Sequence, residues 1–348
     1  MKKTILNPHS RQSNFELLRL VAMMLVLIVH SDWLSLGKPT MLEAQTAPLN
    51  VAARSFFQSM AIVCVDVFVL ISGWFSIKPS IRSFSKFIFQ CMFFTTAIYV
   101  VLLLVGELSM SIASVREYIR QLVSFNWFVL AYVCLYILSP VLNAFIANSD
   151  RRTIELTLVG FYTFQTIYSW MLPVAQYFVY GYSAISFIGL YLLARYVRLF
   201  NPRWVAMFRS RYLLVYVIIT LFMTAVSFVG FRVGVGGLGM RMWYYSSPFV
   251  VLSALSLLLQ FSEFKLQSRF VNWCASSCFA IYLLHCSGFV CDPYFKPTIV
   301  AIYSSHSDIE CLGAIFVFLI SIAVVAILID QIRKFVWTYV ARLFSLDE

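Results

Sequence analysis

Apolar segments long enough to cross a membrane recur from one end of the chain to the other, with short polar gaps between them. A helix rises ~1.5 Å per residue, so about 20 apolar residues span a hydrocarbon layer of ~30 Å. Hydrophobic residues make up 61% of the 348 residues and charged residues only 12%, which argues against a soluble domain. The sequence therefore predicts an all-α polytopic membrane protein.

We predict ten transmembrane helices that form one bundle and one domain over residues 1–348. The predicted spans are 15–33, 56–76, 84–105, 125–146, 154–172, 180–200, 212–231, 243–262, 270–291 and 309–332. Lys2 and Lys3 give the chain a basic start, but no small-x-small cleavage site follows the first apolar run. We therefore expect that run to be a permanent span.

The net charge of +11 comes from Lys and Arg residues that are distributed unevenly between the two sides of the predicted spans. If the N-terminus is cytoplasmic, most of the 26 basic residues fall on that side, among them Lys2, Lys3 and Arg11. This bias obeys the positive-inside rule and predicts a multi-pass protein of the cytoplasmic membrane with both termini cytoplasmic. Topology explains the basic charge, so no nucleic-acid partner is expected.

The eight cysteines lie mostly inside predicted spans. Cys274 and Cys278 lack the second pair that a zinc site of this spacing needs, so no metal site is predicted. We expect buried, apolar cysteines. A disulfide between Cys291 and Cys311, which flank a predicted external loop, is the alternative.

The first span carries Glu16, Arg19 and His30, besides Asp32 near its end, within the apolar segment SNFELLRLVAMMLVLIVHSDW. Arg19 and His30 are close to three helical turns apart and Glu16 is one turn before Arg19, so all three share a face. Such groups inside a membrane usually face a bundle interior or a watery cavity. We predict a functional face on which Glu16 holds Arg19; snorkelling of Arg19 and a structural role for His30 are the alternatives.

A second histidine is expected at the same depth in the ninth span, which contains SSCFAIYLLHCSGF. His285 follows the start of its span by 15 residues, as His30 follows the start of the first. Tyr282 lies one turn before His285, on nearly the same face. Two histidines at one level form a candidate acid/base or substrate-holding site.

The second span contains AIVCVDVFVLISGWF and places Asp66 near the middle of the membrane. An unpaired carboxylate there is costly, so Asp66 is expected to pair with a cation or to remain neutral. Gly73 lies on nearly the same face and permits close approach of another helix. For Ser72 and Gly73, packing alone is the alternative to a functional role.

Four segments, taken in order, resemble the acyltransferase-3 family of integral membrane O-acyltransferases. They are NFELLRLVAMMLVLIVH, VDVFVLISGWF, NWFVLAYVCLYILSPVL and CFAIYLLH. The resemblance covers essentially the whole chain and is to the stand-alone form, of the type that O-acetylates surface polysaccharides. Two features depart from the family pattern. Trp74 follows the Ser-Gly pair where Phe or Tyr is usual, and the segment after it contains few basic residues where the family has a dense Arg cluster.

The resemblance implies transfer of an acyl group, usually acetyl, from cytoplasmic acyl-CoA to a hydroxyl of an extracytoplasmic or lipid-linked glycan. It assigns catalysis to Arg19 and His30, and its second-span Asp and Ser-Gly pair correspond to Asp66, Ser72 and Gly73. With the second histidine and its tyrosine, the candidate catalytic residues are His30, Arg19, Asp66, His285 and Tyr282. No metal cofactor is expected.

Acetyl-CoA carries several phosphate charges, so we expect it to rest against cytoplasmic basic groups. The candidate donor-binding residues are Arg19, Ser72, Lys78, Arg82 and Lys86. For each basic residue, a purely topological role is the alternative. The remaining expected partners are a glycan or other hydroxyl-bearing acceptor and membrane lipid.

In the expected reaction, His30 either removes the acceptor proton or takes the acyl group briefly itself. Asp66 is expected to orient an imidazole, while His285 and Tyr282 hold the acceptor or polarise the thioester carbonyl. Two other classes stay open: a transporter or flippase, and a membrane polysaccharide polymerase. Paired repeats would favour a transporter and a large external loop would favour a polymerase, and the sequence shows neither feature.

Overall fold

The computed structural model describes residues 12–306 and 308–344, and every regular element among them is helical. In chain order these are α1 (Ser13–Val29), α2 (Met41–Thr46), α3 (Pro48–Ala61), α4 (Cys64–Phe75), α5 (Ile81–Leu104), α6 (Ile112–Val123), α7 (Trp127–Asn148), α8 (Arg151–Gln165), α9 (Ala184–Phe200), α10 (Arg203–Met207), α11 (Tyr212–Arg232), α12 (Gly236–Arg241), α13 (Pro248–Ser262), α14 (Arg269–Ala275), α15 (Cys278–His285), α16 (Lys296–Ser305) and α17 (Asp308–Leu343). Short π-helical segments lie at His30–Leu34, Thr166–Met171 and Cys291–Phe295, and a 3-10 turn at Val179–Gly181. Lys2, Lys3 and Arg11 lie outside the described residues.

Six stretches of the described chain are long and apolar enough to cross a membrane. They are Ser13–Leu34, Pro48–Phe75, Ile81–Leu104, Ile112–Asn148, Tyr212–Arg232 and Ile309–Leu343. The protein is therefore an all-helical, multi-pass membrane protein. The number of ten spans, the single domain and the cytoplasmic location of both termini stay predictions.

Two predicted spans are not single helices. The second, 56–76, is made of α3 and α4, which begin eight residues earlier at Pro48 and break at Ile62 and Val63. The ninth, 270–291, is made of α14 and α15, which break at Ser276 and Ser277 and end at His285. The first break lies within apolar residues and leaves no mark in the composition, whereas the second falls on the serine pair Ser276–Ser277.

Three further predicted spans, the fifth, sixth and eighth, correspond to shorter helices. α8 changes to a π-helix after Gln165. α9 begins later than predicted because Ser183 caps it, its Oγ accepting a hydrogen bond from the Ser186 amide. α13 begins at Pro248, whose ring favours the first helical turn.

Helix α1 and the broken helix α14–α15 run side by side in the same direction. At one end the Ser268 amide donates to Ser13 Oγ at 3.0 Å. Further along, Cys278 Sγ donates to the Arg19 carbonyl at 3.2 Å. This parallel packing holds the inward face of α1 against the residues that lead to His285.

Gly73 brings α4 against α9. A Cβ on Gly73 would lie 2.5 Å from the Tyr191 carbonyl oxygen and 2.9 Å from its Cα, so only glycine fits this contact. The predicted close helix approach at Gly73 is confirmed. The neighbouring Ser72 lies on a different face of α4, where it donates to the Phe68 carbonyl at 3.0 Å.

Candidate active site

The two predicted histidines contact one another. His30 lies where α1 changes to its π-helical segment, and His285 is the last residue of α15. His30 Nδ1 and His285 Nε2 are 2.9 Å apart, and the ring centroids are 5.1 Å apart. His285 is fully buried, while His30 is partly exposed. The parallel packing of the two helices therefore produces a hydrogen-bonded histidine pair.

Hydrogen bonding fixes the tautomer of both rings when they are neutral. His285 Nδ1 lies 2.6 Å from the Ile281 carbonyl oxygen. A carbonyl oxygen only accepts, so Nδ1 of His285 carries the proton and its Nε2 is an acceptor. His30 Nδ1 must then donate to His285. Nε2 of His30 is left unprotonated and makes no hydrogen bond within the described residues, so it is available as a base.

A cavity of about 630 Å³ lies along the polar face of α1. Its wall takes residues from six helices and the π-helical segment, and this volume is typical of ligand sites. The α1 residues in the wall recur every three or four positions from Glu16 to Met23, Val26 and His30. At ~1.5 Å per residue, Arg19 and His30 lie ~16 Å apart along this cavity.

The arginine end of the cavity is formed by Glu16, Arg19, Gln90 and Ser276. Glu16 accepts from Arg19 Nη1 at 2.6 Å, which confirms the predicted pair. The Arg19 side chain is 34% exposed and that of Glu16 only 8%, so Arg19 keeps donors available beyond this pair. This end is suited to an anionic group.

The aromatic end of the cavity is formed by Trp33, Trp127, Tyr182 and Tyr245. The Trp127 ring lies 4.5 Å from that of Tyr182 and 5.9 Å from that of Tyr245, measured between centroids. Tyr282 lies in the wall between the two ends, with its ring 6.5 Å from that of His30. Aromatic faces of this kind are suited to stacking against an apolar or sugar ring.

Asp66 is not brought into the cavity wall. Val65, Phe68 and Ser72 present one face of α4 to the cavity, whereas Asp66 lies on the face that includes Gly73 and packs toward α9. Asp66 is fully buried, and neither carboxylate oxygen has a hydrogen-bond partner among the described residues. Among the described residues, no hydrogen bond supports the expectation that Asp66 orients an imidazole.

The predicted donor-binding residues are divided between the cavity and the surface. Arg19 and Ser72 lie in the wall, and Ser72 Oγ is 3.3 Å from the Tyr132 hydroxyl. Lys78, Arg82 and Lys86 are exposed and outside it. Lys86 is one residue before Phe87, which does line the cavity.

Lys334 is a basic group that the sequence analysis did not select. Its Nζ donates to Ser276 Oγ at 2.6 Å and to Ser277 Oγ at 2.7 Å, directly behind the arginine end. Its charge partner is Asp330, whose carboxylate lies 3.7 Å from Nζ. No signal in the sequence linked Lys334 to this place, because the contact depends on the break between α14 and α15.

A buried ion pair holds the π-helical segment that follows His30. Arg54 Nε donates to Asp32 at 2.5 Å, and its guanidinium also donates to the Gly37 carbonyl at 2.5 Å. Both side chains are 9% exposed. Single π-helical turns inside α-helices often occur at functional sites. Here the segment carries His30 at its first position and Trp33 in the cavity wall.

A comparison with protein families identifies the class of this chain. A family model described as an acyltransferase domain matches residues 12–330, so this all-helical, multi-pass chain is a membrane acyltransferase. The chain belongs to the acyltransferase-3 family, as its four segments predicted. A comparison with curated proteins returned no match, and neither did a comparison with solved structures.

Proposed function

We propose that this protein moves an acyl group, acetyl in the first instance, from cytoplasmic acyl-CoA to a hydroxyl of an extracytoplasmic or lipid-linked glycan. One observation carries the proposal: a single cavity joins a partly exposed arginine to an imidazole whose Nε2 is free. The family supports acyl transfer, and the two ends of the cavity support the assignment of donor and acceptor.

The donor enters at the arginine end. Arg19 receives its phosphate groups, while Lys334, which is paired with Asp330 behind the wall, and exposed Lys86 add positive charge around this end. The long pantetheine arm occupies the cavity and carries the thioester toward His30. Lys78 and Arg82 contribute only from outside the wall, so their effect on donor binding is weaker than that of Arg19.

The acceptor enters at the aromatic end, where Trp127, Tyr182 and Tyr245 stack against its ring. His30 Nε2 takes the proton from the attacking hydroxyl as that oxygen bonds to the thioester carbonyl carbon. The Tyr282 hydroxyl donates to the oxyanion that forms. The carbon–sulfur bond then breaks, and the thiolate of coenzyme A takes the proton back from His30. Ester and free coenzyme A are the products.

Reconstitution in nanodiscs with acetyl-CoA labelled in the acetyl group tests this function. We expect one free thiol of coenzyme A to appear for each labelled acetyl group recovered in an envelope-glycan fraction. His30→Ala provides the inactive control in the same discs. Movement of glycan or label across a vesicle membrane without thiol release would instead establish the transporter class.

A further inference from the structure

Cys286 extends the histidine pair into a group of three metal-ligating atoms. Its Sγ lies 3.3 Å from His30 Nδ1 and 3.4 Å from His285 Nε2, and the two nitrogens are 2.9 Å apart. The three atoms thus form a nearly equilateral triangle, and the structure contains no other such group among its described residues. The sequence analysis predicted no metal site, because the spacing between cysteines does not reveal a group that joins Cys286 to a histidine of the first span.

The size of this triangle fits a transition-metal ion. Its three corners lie about 1.9 Å from their common centre, and an ion about 1 Å above the plane meets zinc distances of ~2.0–2.3 Å to nitrogen and sulfur. Imidazole and thiolate are ligands that zinc prefers. We propose that His30, His285 and Cys286 bind one Zn²⁺ ion, and that this binding inhibits the enzyme.

The surroundings of the triangle support a metal ligand set. The Ile281 carbonyl accepts from His285 Nδ1, so Nε2 of His285 carries a lone pair that can bind a metal; metal-bound histidines usually donate their other ring N–H in this way. His30 and Cys286 are both partly exposed, which gives an ion access. Lys296, the nearby cation, is paired with Asp292 at 2.5 Å, so its charge is balanced.

Inhibition follows from the protons that binding displaces. Zinc binding removes the thiol proton of Cys286, which leaves to solvent. Zinc also bonds to Nδ1 of His30, which carries the ring proton when no metal is bound. The single proton of that neutral ring therefore moves to Nε2. A protonated Nε2 cannot accept the proton of a hydroxyl. The metal therefore removes the base on which the proposed acyl transfer rests.

Binding is tested with Co²⁺, a spectroscopic substitute for zinc, added to chelator-treated, detergent-purified protein. We expect one cobalt ion per chain and a thiolate-to-cobalt charge-transfer band that Cys286→Ser abolishes. Cys134→Ser is the matched control, because Cys134 is also a free, half-buried cysteine. Absence of the band in the wild type, or its survival in Cys286→Ser, would overturn the site.

A second measurement uses the wild-type chain alone, in case Cys286→Ser fails to fold. Zn²⁺ should slow alkylation of Cys286 at least about tenfold and leave Cys134 unchanged, as followed by peptide mass spectrometry. Equal protection of both cysteines, or of neither, contradicts the proposal.

The inhibition is measured separately from binding. Zn²⁺ should stop acyl transfer by the wild type, a chelator should restore it, and Cys286→Ser should need at least about tenfold more zinc. Zinc-insensitive turnover would refute the inhibitory role. A chain that binds cobalt but transfers no acyl group under any condition would keep the metal site and reject the proposed function.

Discussion

His30 and His285 lie 255 positions apart in the chain, and their imidazole nitrogens are 2.9 Å apart in the structure. The same offset of 255 separates Ser13 and Ser268, whose hydrogen bond lies at the other end of this helix pair. The contact between them, from Cys278 to Arg19, has an offset of 259, so the two partners are out of step around the break between α14 and α15 and return to the first offset at the histidines. This parallel packing is what places a free imidazole nitrogen on the cavity that leads from Arg19.

Changing His285 tests its role as a positioning residue for His30. His285→Leu removes the acceptor for His30 Nδ1, and partners that orient metal-bound histidines in the same way are worth ~10–100-fold in activity. We expect kcat to fall by about that factor with little change in the donor KM, because the arginine end is untouched.

His285→Gln should recover much of the loss, since its amide oxygen can accept the same hydrogen bond. Steady-state kinetics of both variants in nanodiscs decides the matter. If Leu and Gln reduce kcat equally, the hydrogen bond to His30 is not what His285 contributes.

Removing the charge of Arg19 tests donor binding at the arginine end. A hydrogen bond to a charged group is worth ~1.5–3 kcal/mol, so Arg19→Gln should raise the donor Kd by roughly 10–100-fold. Isothermal titration with a non-hydrolysable acyl-CoA analogue measures this directly.

Arg120→Gln is the matched control for Arg19. Arg120 also pairs with a glutamate three residues earlier, Glu117, but this pair is exposed and outside the cavity. Its substitution should leave donor affinity unchanged. Equal weakening by both variants would show a general electrostatic effect and argue against a specific donor site.

Gly73→Ala should destabilise the protein because of the contact with Tyr191. The added methyl group would meet backbone atoms at 2.5 and 2.9 Å, and α4 would have to move away from α9. Overpacking of this kind costs about 1–3 kcal/mol. Gly160→Ala is the control, since nothing lies within 4 Å of its added methyl group. Thermal unfolding in detergent should show a lower Tm only for Gly73→Ala; equal Tm values would contradict the packing described here.

The buried pair of Asp32 and Arg54 makes a second stability prediction. Arg54→Met leaves a buried carboxylate without its partner, at a cost of about 3–5 kcal/mol. The double variant Asp32→Leu/Arg54→Met should recover part of the lost Tm, because apolar replacement removes the unpaired charge. A double variant that is less stable than Arg54→Met would contradict this explanation. It would mean that the unpaired Asp32 carboxylate is not the cause of the lost stability.

Much of the site was predictable because it follows helical periodicity. Glu16, Arg19 and His30 share a face in the sequence and line one cavity in the structure. His30 and His285 were expected at one depth from equal counts within their spans, and they contact one another. Local geometry carries this information, since the rise per residue and the angle per residue are nearly constant.

Other features depend on tertiary packing and left no such pattern. The break after Ala61 lies inside a continuous apolar run, where hydropathy does not change, and the serine pair at the other break does not by itself specify a break, since serine also occurs inside helices. Asp66 was expected to orient an imidazole, but its position within the second span does not specify the neighbour that its helix face meets. Lys334 and Cys286 reach the site only because α17 and the end of α15 pack there.

The most direct test compares acetyl transfer by His30→Ala and His306→Ala in nanodiscs, normalised to folded protein. His306 is an exposed histidine outside the cavity, so its variant controls for loss of an imidazole elsewhere. A general base contributes ~10²–10⁴-fold, and we predict a fall of this size for His30→Ala alone, with donor binding retained. Turnover by His30→Ala at the rate of the wild type would contradict the account.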